Sequence, residues 1–188
     1  MMIRAFIAIE LPQPVKQELA QVSAGLARQV PERAVRWVQP GKMHLTLRFL
    51  GETAVTQLPH IIQQLDDLAT HHKTFNLHLN GLGCFPNRQR PRVIWAGLAG
   101  DEAALQSLKR DLDERLSPLG WPPEDKPFRA HLTLGRVNDG RQLTQMKWDT
   151  AVKPIAFTVN EVHLIESHLT PKGPLYTVRH TVLLNKEF

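Results

Sequence analysis

Histidine and threonine two positions apart occur in a repeated setting: His44-Leu45-Thr46-Leu47 returns as His131-Leu132-Thr133-Leu134, 87 residues further on. If each tetrapeptide is a strand, alternation puts the imidazole and the hydroxyl on one face and both leucines on the other. Each copy then offers a reactive pair on one side and core anchors on the other. Two imidazoles facing each other across a cleft can act as general acid and general base, because a pKa near 6.5 leaves both forms accessible. The hydroxyls can donate hydrogen bonds to the non-bridging oxygens of a phosphate as charge develops there. This set suits in-line attack on a phosphodiester, with one imidazole taking a proton from the nucleophile and the other giving one to the leaving oxygen. Each transfer is worth about 10²–10⁴-fold in rate. Neither motif holds a carboxylate, so no metal and no other cofactor is expected.

His-x-Thr is a cheap pattern. With the histidine and threonine content of this chain, about 0.6 chance occurrences are expected, and a third copy exists at His168-Leu169-Thr170. That copy runs straight into Pro171 and Gly173, which mark a turn, whereas the other two continue as apolar strand. An isolated strand histidine is usually an ordinary hydrogen-bonded residue. The matched pair is set apart by its two strand contexts and a spacing close to half the chain.

The elements that must hold these residues can be read from pattern. Residues 3–11, IRAFIAIEL, form an apolar, β-branched run ended by Pro12 and Pro14. A helix follows with Pro14 in its first turn and Val15, Leu19, Val22 and Leu26 on one face, closed by Pro31. Strands are expected at 35–38 and 43–50, joined through Pro40-Gly41, and a second amphipathic helix carries Leu58, Ile61, Ile62, Leu65 and Leu68. Strands at 75–79 and 93–98 precede a third helix, N-capped by Asp101, with Leu105, Leu108, Leu112 and Leu116 in a stripe. Further strands are expected at 129–137, 155–165 and 175–184. Strands outnumber helices and follow one another as hairpins, which points to an α+β fold with antiparallel sheet.

The chain has 188 residues, 42% of them apolar and 22% charged, a composition that sets disorder and coiled coil aside. No low-complexity linker interrupts it, so residues 1–188 read as a single domain, with the half-chain spacing of the repeat suggesting two equivalent lobes. A formal net charge of +5 permits an anionic partner without identifying one. The lone Cys84 excludes an intrachain disulfide and a Cys-rich zinc site. The N-terminal apolar stretch is broken by Arg4 and Glu10, too short for a signal or membrane segment, so a cytoplasmic protein without membrane contact is expected. There is no Walker A sequence and no Gly-rich dinucleotide fingerprint.

In five ordered blocks the chain resembles the 2H phosphoesterase superfamily, and more narrowly the RNA 2′,3′-cyclic phosphodiesterases, historically called 2′-5′ RNA ligases. The blocks are RAFIAIELP at 4–12, HLTLRFLGE at 44–52, FPNRQRPRVIWAG at 85–97, HLTLGR at 131–136 and ESHLTPKGPLYTV at 166–178. The resemblance implies a bilobal α+β fold with pseudo-twofold symmetry, outer helices and one motif from each lobe facing a central cleft. It implies hydrolysis of a 2′,3′-cyclic phosphate on an RNA end to a 2′-phosphate, together with reversible 2′-5′ ligation of RNA ends. On that likeness His44 is the general acid for the O3′ leaving group and His131 the general base for water. Thr46, Thr133 and Arg136 then bind the phosphate. Strict alternation from His131 puts Arg136 on the leucine face, so it reaches the phosphate only if the strand bends near Gly135. Family members commonly carry proline before the second histidine, where this chain has Ala130.

Other residues admit plainer readings. Phe49 stands at the same offset from His44 as Arg136 from His131 and could stack on a base, but its parity with Leu45 and Leu47 favours the core. Arg88, Arg90 and Arg92 lie in a Pro-rich loop that either grips RNA or is simply solvated. Trp37, Trp95, Trp121 and Trp148 read mostly as core or half-buried residues, His71 and His72 as helix-end caps, and Cys84 as structural. The competing functions are cleavage of 2′-5′ oligonucleotides or small nucleotide cyclic phosphates, and a non-catalytic module that holds RNA ends. Binding alone would be better served by Lys or Arg than by two histidines. The expected partners are RNA ends or small nucleotide cyclic phosphates, and the expected state is a monomer.

Overall fold

The computed structural model describes residues 1–171 and 173–186, so Lys172, inside the block at 166–178, lies outside the described residues. In chain order the elements are β1 (Met2–Glu10), α1 (Gln13–Ala27), β2 (Val35–Trp37), β3 (His44–Ala54), α2 (Leu58–His71), β4 (Phe75–Phe85) and β5 (Val93–Gly100). They continue with α3 (Glu102–Leu116), β6 (His131–Val137), β7 (Ala156–Val159), β8 (Glu161–Thr170) and β9 (Gly173–Leu183). The strands form two sheets, ordered β3-β1-β8-β9 and β2-β6-β5-β4-β7, with every pairing inside them antiparallel. The α+β expectation holds.

The two sheets are built alike. In the first, β1 leads through α1 to the motif strand β3 beside it; in the second, β5 leads through α3 to the motif strand β6 beside it. Placing β8-β9 beyond β1 and β4-β7 beyond β5 completes the correspondence, with β2 added outside β6. β3 and β6 pack against each other, so the sheets meet along the strands that carry the two histidines.

One face of each sheet is sealed by helices. Ile3, Ile7, Ile9, Leu45 and Leu47 of the first sheet and Ile94, Ala96, Leu132 and Leu134 of the second share one core. It also takes in the α1 residues Val15, Leu19, Val22 and Leu26 and the α3 stripe Leu105, Leu108, Leu112 and Leu116. Each buried Ile, Leu or Val among them contributes about 1.5–3 kcal/mol. The opposite face of the first sheet has a small cluster of its own, Phe6, Ala8 and Ile165 with Tyr176 against them. No helix among the described residues is long and apolar enough to cross a membrane.

Several boundaries differ from pattern reading. β6 starts at His131 and not at 129, because the Arg129 carbonyl serves the His131 ring instead of a ladder. The run 155–165 divides into β7 and β8, which belong to different sheets. Asp101 occupies the N-cap position of α3 but makes no side-chain cap; its Oδ2 accepts the Asn76 N–H at 2.8 Å, tying the helix start to β4.

Candidate active site

The faces of the motif strands follow from register. Directly opposed residues of an antiparallel pair project to the same side. On β1, Glu10, Ala8 and Phe6 alternate on one face and oppose His44, Thr46 and Phe49 of β3. A register shift between Ile7 and Ala8 leaves Leu47 as an extra residue, so β3 changes parity there. Phe49 therefore joins the histidine face and is 61% exposed, correcting its assignment to the core, while Arg48 turns inward and is buried. β6 repeats the device. His131 opposes Gly97, Thr133 opposes Trp95, and after a shift at Leu134 Arg136 opposes Val93. Since Gly97, Trp95 and Val93 share one face of β5, His131, Thr133 and Arg136 share one face of β6, and Arg136 is exposed there.

Both histidines open their strands and are held in the same way. His44 Nδ1 lies 2.9 Å from the Lys42 carbonyl oxygen, and His131 Nδ1 lies 2.7 Å from that of Arg129. A carbonyl only accepts, so Nδ1 carries the hydrogen in each ring and Nε2 is left as the reactive nitrogen. Lys42 is presented by the short 3₁₀ turn Pro40–Lys42. Arg129 lies in the irregular segment before β6, where Ala130 packs at the core edge.

Each imidazole also sits among aromatic rings. Phe6 stacks on His44 with centroids 4.7 Å apart, and Tyr176 meets it edge-on at 5.4 Å. Phe85 stands perpendicular to His131 at 4.9 Å, with Trp95 at 6.4 Å. Burial lowers the His44 pKa below its ordinary 6.5, opposed by the bond to the Lys42 carbonyl and by the Glu10 charge. Glu10 opposes His44 across the ladder and holds Lys16 at 2.9 Å. Burial raises the Tyr176 phenol, and the positive charge of Arg136 opposes that rise. A β9 residue of the first sheet and a β6 residue of the second are thus near enough for the charge of one to act on the other.

Phe6, Tyr176, Phe85 and Glu10 escape a motif search. One signal for the first and last was present: Arg4, Phe6, Ala8 and Glu10 share a parity of β1 bounded by charges, unlike the apolar parity of Ile3, Ala5, Ile7 and Ile9. The remaining sequence candidates scatter. His168 is exposed near the end of β8, opposite in parity to Ile165, which lies on the Phe6 face. Arg88 lies over the Trp148 ring at 5.7 Å, and all four tryptophans are half-buried. His71 Nδ1 lies 2.8 Å from the Asp67 carbonyl, the helix-end contact expected of it. Among the described residues no three His, Cys, Asp or Glu side chains converge as a metal site would require.

Comparison with known proteins gives the family and the fold. A protein-family model described as LigT-like phosphoesterase matches residues 9–95 and 99–176. An RNA 2′,3′-cyclic phosphodiesterase from Methanothermobacter thermautotrophicus is 32% identical over 181 residues, 94% of this chain and 96% of that protein. One from Thermus thermophilus is 33% identical over 190 residues, 98% of this chain and 92% of that protein. A crystal structure of a Thermus thermophilus protein superposes with a TM-score of 0.84 at 31% identity, covering 99% of this chain and all of that one. The Escherichia coli LigT complex with 3′-AMP shares the fold at a TM-score of 0.77 and 24% identity, covering 98% and 99% of the two chains.

Proposed function

Because the chain belongs to the LigT-like phosphoesterase family, we propose that it hydrolyses the 2′,3′-cyclic phosphate of an RNA end to a 2′-phosphate. His44 and His131 move the protons, and the two lobes act together as one catalytic unit. The observation that carries this reading is the matched pair of Nδ1–carbonyl contacts, which leaves each Nε2 as the reactive nitrogen.

The reaction balances with these groups alone. His131 Nε2 takes a proton from water as the water oxygen bonds to phosphorus. The bond from phosphorus to O3′ breaks in line, and the proton on His44 Nε2 passes to O3′, leaving a 2′-phosphomonoester and a free 3′-hydroxyl. Thr46 and Thr133 lie on the histidine faces one alternation further along and donate to the non-bridging oxygens, with Arg136 countering their charge. The direction of transfer, acid at His44 and base at His131, follows the family likeness. The lowered pKa of His44 in the free protein means that bound phosphate must draw the proton onto it, which an adjacent anion does. With a 5′-hydroxyl in place of water as the nucleophile, the same steps join the cyclic end to that hydroxyl, release O3′ and make a 2′-5′ bond.

The test is incubation with an oligoribonucleotide ending in a 2′,3′-cyclic phosphate, in EDTA, followed by identification of the product. The expected product has gained one water and carries a 2′-phosphate. Unchanged substrate or a 3′-phosphate product overturns the reading, and activity lost in EDTA overturns its metal-free form. A substrate with sulfur at the 3′-leaving position separates the two roles, since a thiolate departs without a proton. It restores turnover to His44→Ala and not to His131→Ala; the reverse pattern would exchange the assignments.

A further inference from the structure

β2 is three residues long, and two of them are anchors. Val35 is buried and Trp37 half-buried, both against the core, and Gly135 makes room for them. A Cβ on Gly135 would fall 2.6 Å from Val35 Cγ1 and 3.1 Å from the Trp37 ring. With its neighbours fixed on that side, Arg36 must project to the other. It is exposed, and it stands directly opposite Arg136 in the β2–β6 ladder.

This is a close pairing of like charges. Val38 N donates to the Leu134 carbonyl and Asn138 N to that of Ala34, each at 2.8 Å, so the pair sits at a hydrogen-bonded position of the ladder. Cα atoms at such a position are about 5.5 Å apart. Like charges directly opposed destabilise a sheet unless something neutralises them. Among the described residues neither guanidinium has a carboxylate partner. The pair lies on the face that carries His131 and Thr133, and the charge of Arg136 reaches Tyr176 of the first sheet. An anion held between the two guanidiniums would supply that neutralisation.

We propose that Arg36, standing beside the Arg136 that faces the cyclic phosphate, forms a second phosphate subsite, which takes the phosphodiester on the 5′ side of the terminal nucleotide. This rests on the reading of the cleft as a cyclic-phosphate site and names the substrate as a chain longer than one nucleotide. The chemistry leaves little choice of anion: beyond the cyclic phosphate, the nearest phosphate of an RNA end is the linkage to the preceding nucleotide. β2 lies outside β6, so a strand leaving the histidines past Arg136 meets Arg36 next. Guanidinium forks match phosphate oxygens two at a time and stay charged at all working pH values.

The experiment compares Arg36→Gln with the wild type on two substrates, a nucleoside 2′,3′-cyclic phosphate without a 5′-phosphate and an oligoribonucleotide ending in the same group. The ratio of kcat/KM for the oligomer over the nucleoside falls about tenfold in the variant. Arg110→Gln, which removes an exposed charge on α3, leaves that ratio within twofold of the wild type. In parallel, fluorescence anisotropy follows binding of a short oligoribonucleotide with a 3′-terminal phosphate. For Arg36→Gln the slope of log affinity against log salt becomes shallower by about 0.7, the loss of one single-strand phosphate contact. An unchanged ratio and slope in Arg36→Gln overturn the subsite, as does an equal change in Arg110→Gln. A wild type that binds the oligomer with the expected salt dependence but turns over neither substrate keeps the subsite and overturns the hydrolytic reading instead.

Discussion

An imidazole is useful for proton transfer only when one nitrogen is held and the other is left to react, and both histidines meet that condition through a carbonyl two residues upstream. They differ in surroundings. Stacking under Phe6 buries His44, and burial disfavours its charged form. An NMR titration of the free protein therefore gives His44 a midpoint below 6.5, moving upward when a 2′-phosphate product binds; a midpoint at or above 6.5 contradicts the packing described. Stability follows the same shift. The unfolded chain binds the proton more readily than the folded one, so the contribution of His44 is complete above pH 6.5 and is lost as pH falls below it. At this scale the shared faces of His44 with Thr46 and of His131 with Thr133 were legible, because strand alternation over two residues places them. Phe6, Tyr176 and Phe85 were not, since an aromatic residue in a strand reads the same whether it packs in a core or beside a reactive ring.

Strand parity explains where element-level reading succeeded and where it failed. Simple alternation from His44 sends Phe49 to the core, and alternation from His131 sends Arg136 there too. Each motif strand instead takes an extra residue, at Leu47 and at Leu134, and the residues that follow change face, until a second extra residue at Leu50 restores the parity of β3. Gly135 hinted at a bend in β6, whereas in β3 the nearest glycine, Gly51, stands beside the second shift at Leu50 and four residues past Leu47, so nothing announced the first shift. A bulge is a relation between two strands, and a single strand's pattern does not carry it. The wall behind His131 depends on a similar relation. A Cβ on Gly83 would lie 2.2 Å from the Trp95 ring, which crosses β4 at that point. Gly83→Ala displaces the indole from beside His131, lowering kcat/KM about tenfold and stability by about 1–3 kcal/mol. Steady-state kinetics and thermal unfolding check both; an unchanged kcat/KM would detach Trp95 from the site.

For the molecule as a whole, the question is how two lobes keep two rings in one working arrangement. The half-chain repeat made the two-lobed architecture legible, but the lashings between lobes were not, as they join residues far apart in sequence. The inward turn of Arg48 supplies one: its guanidinium bonds Asp113 of α3 at 3.3 Å and the Pro122 carbonyl. Trp121 Nε1 donates to the Leu50 carbonyl at 2.8 Å, and Lys109 pairs with Asp113 while lying over the Phe128 ring at 5.6 Å. The segment that ends at Arg129, and so holds His131, is thereby fastened to the strand that carries His44. Arg48→Met leaves Asp113 with Lys109 alone and costs about 3 kcal/mol in denaturant unfolding; a cost under about 0.5 kcal/mol would show the lashing to be idle. The central claim is that one histidine from each lobe is required for one reaction. It is tested most directly by turnover of an oligoribonucleotide 2′,3′-cyclic phosphate by His44→Ala, His131→Ala and His168→Ala, each shown to be folded. The first two lose at least about 10²-fold and the third keeps the wild-type rate. A near-wild-type rate in either of the first two contradicts the account.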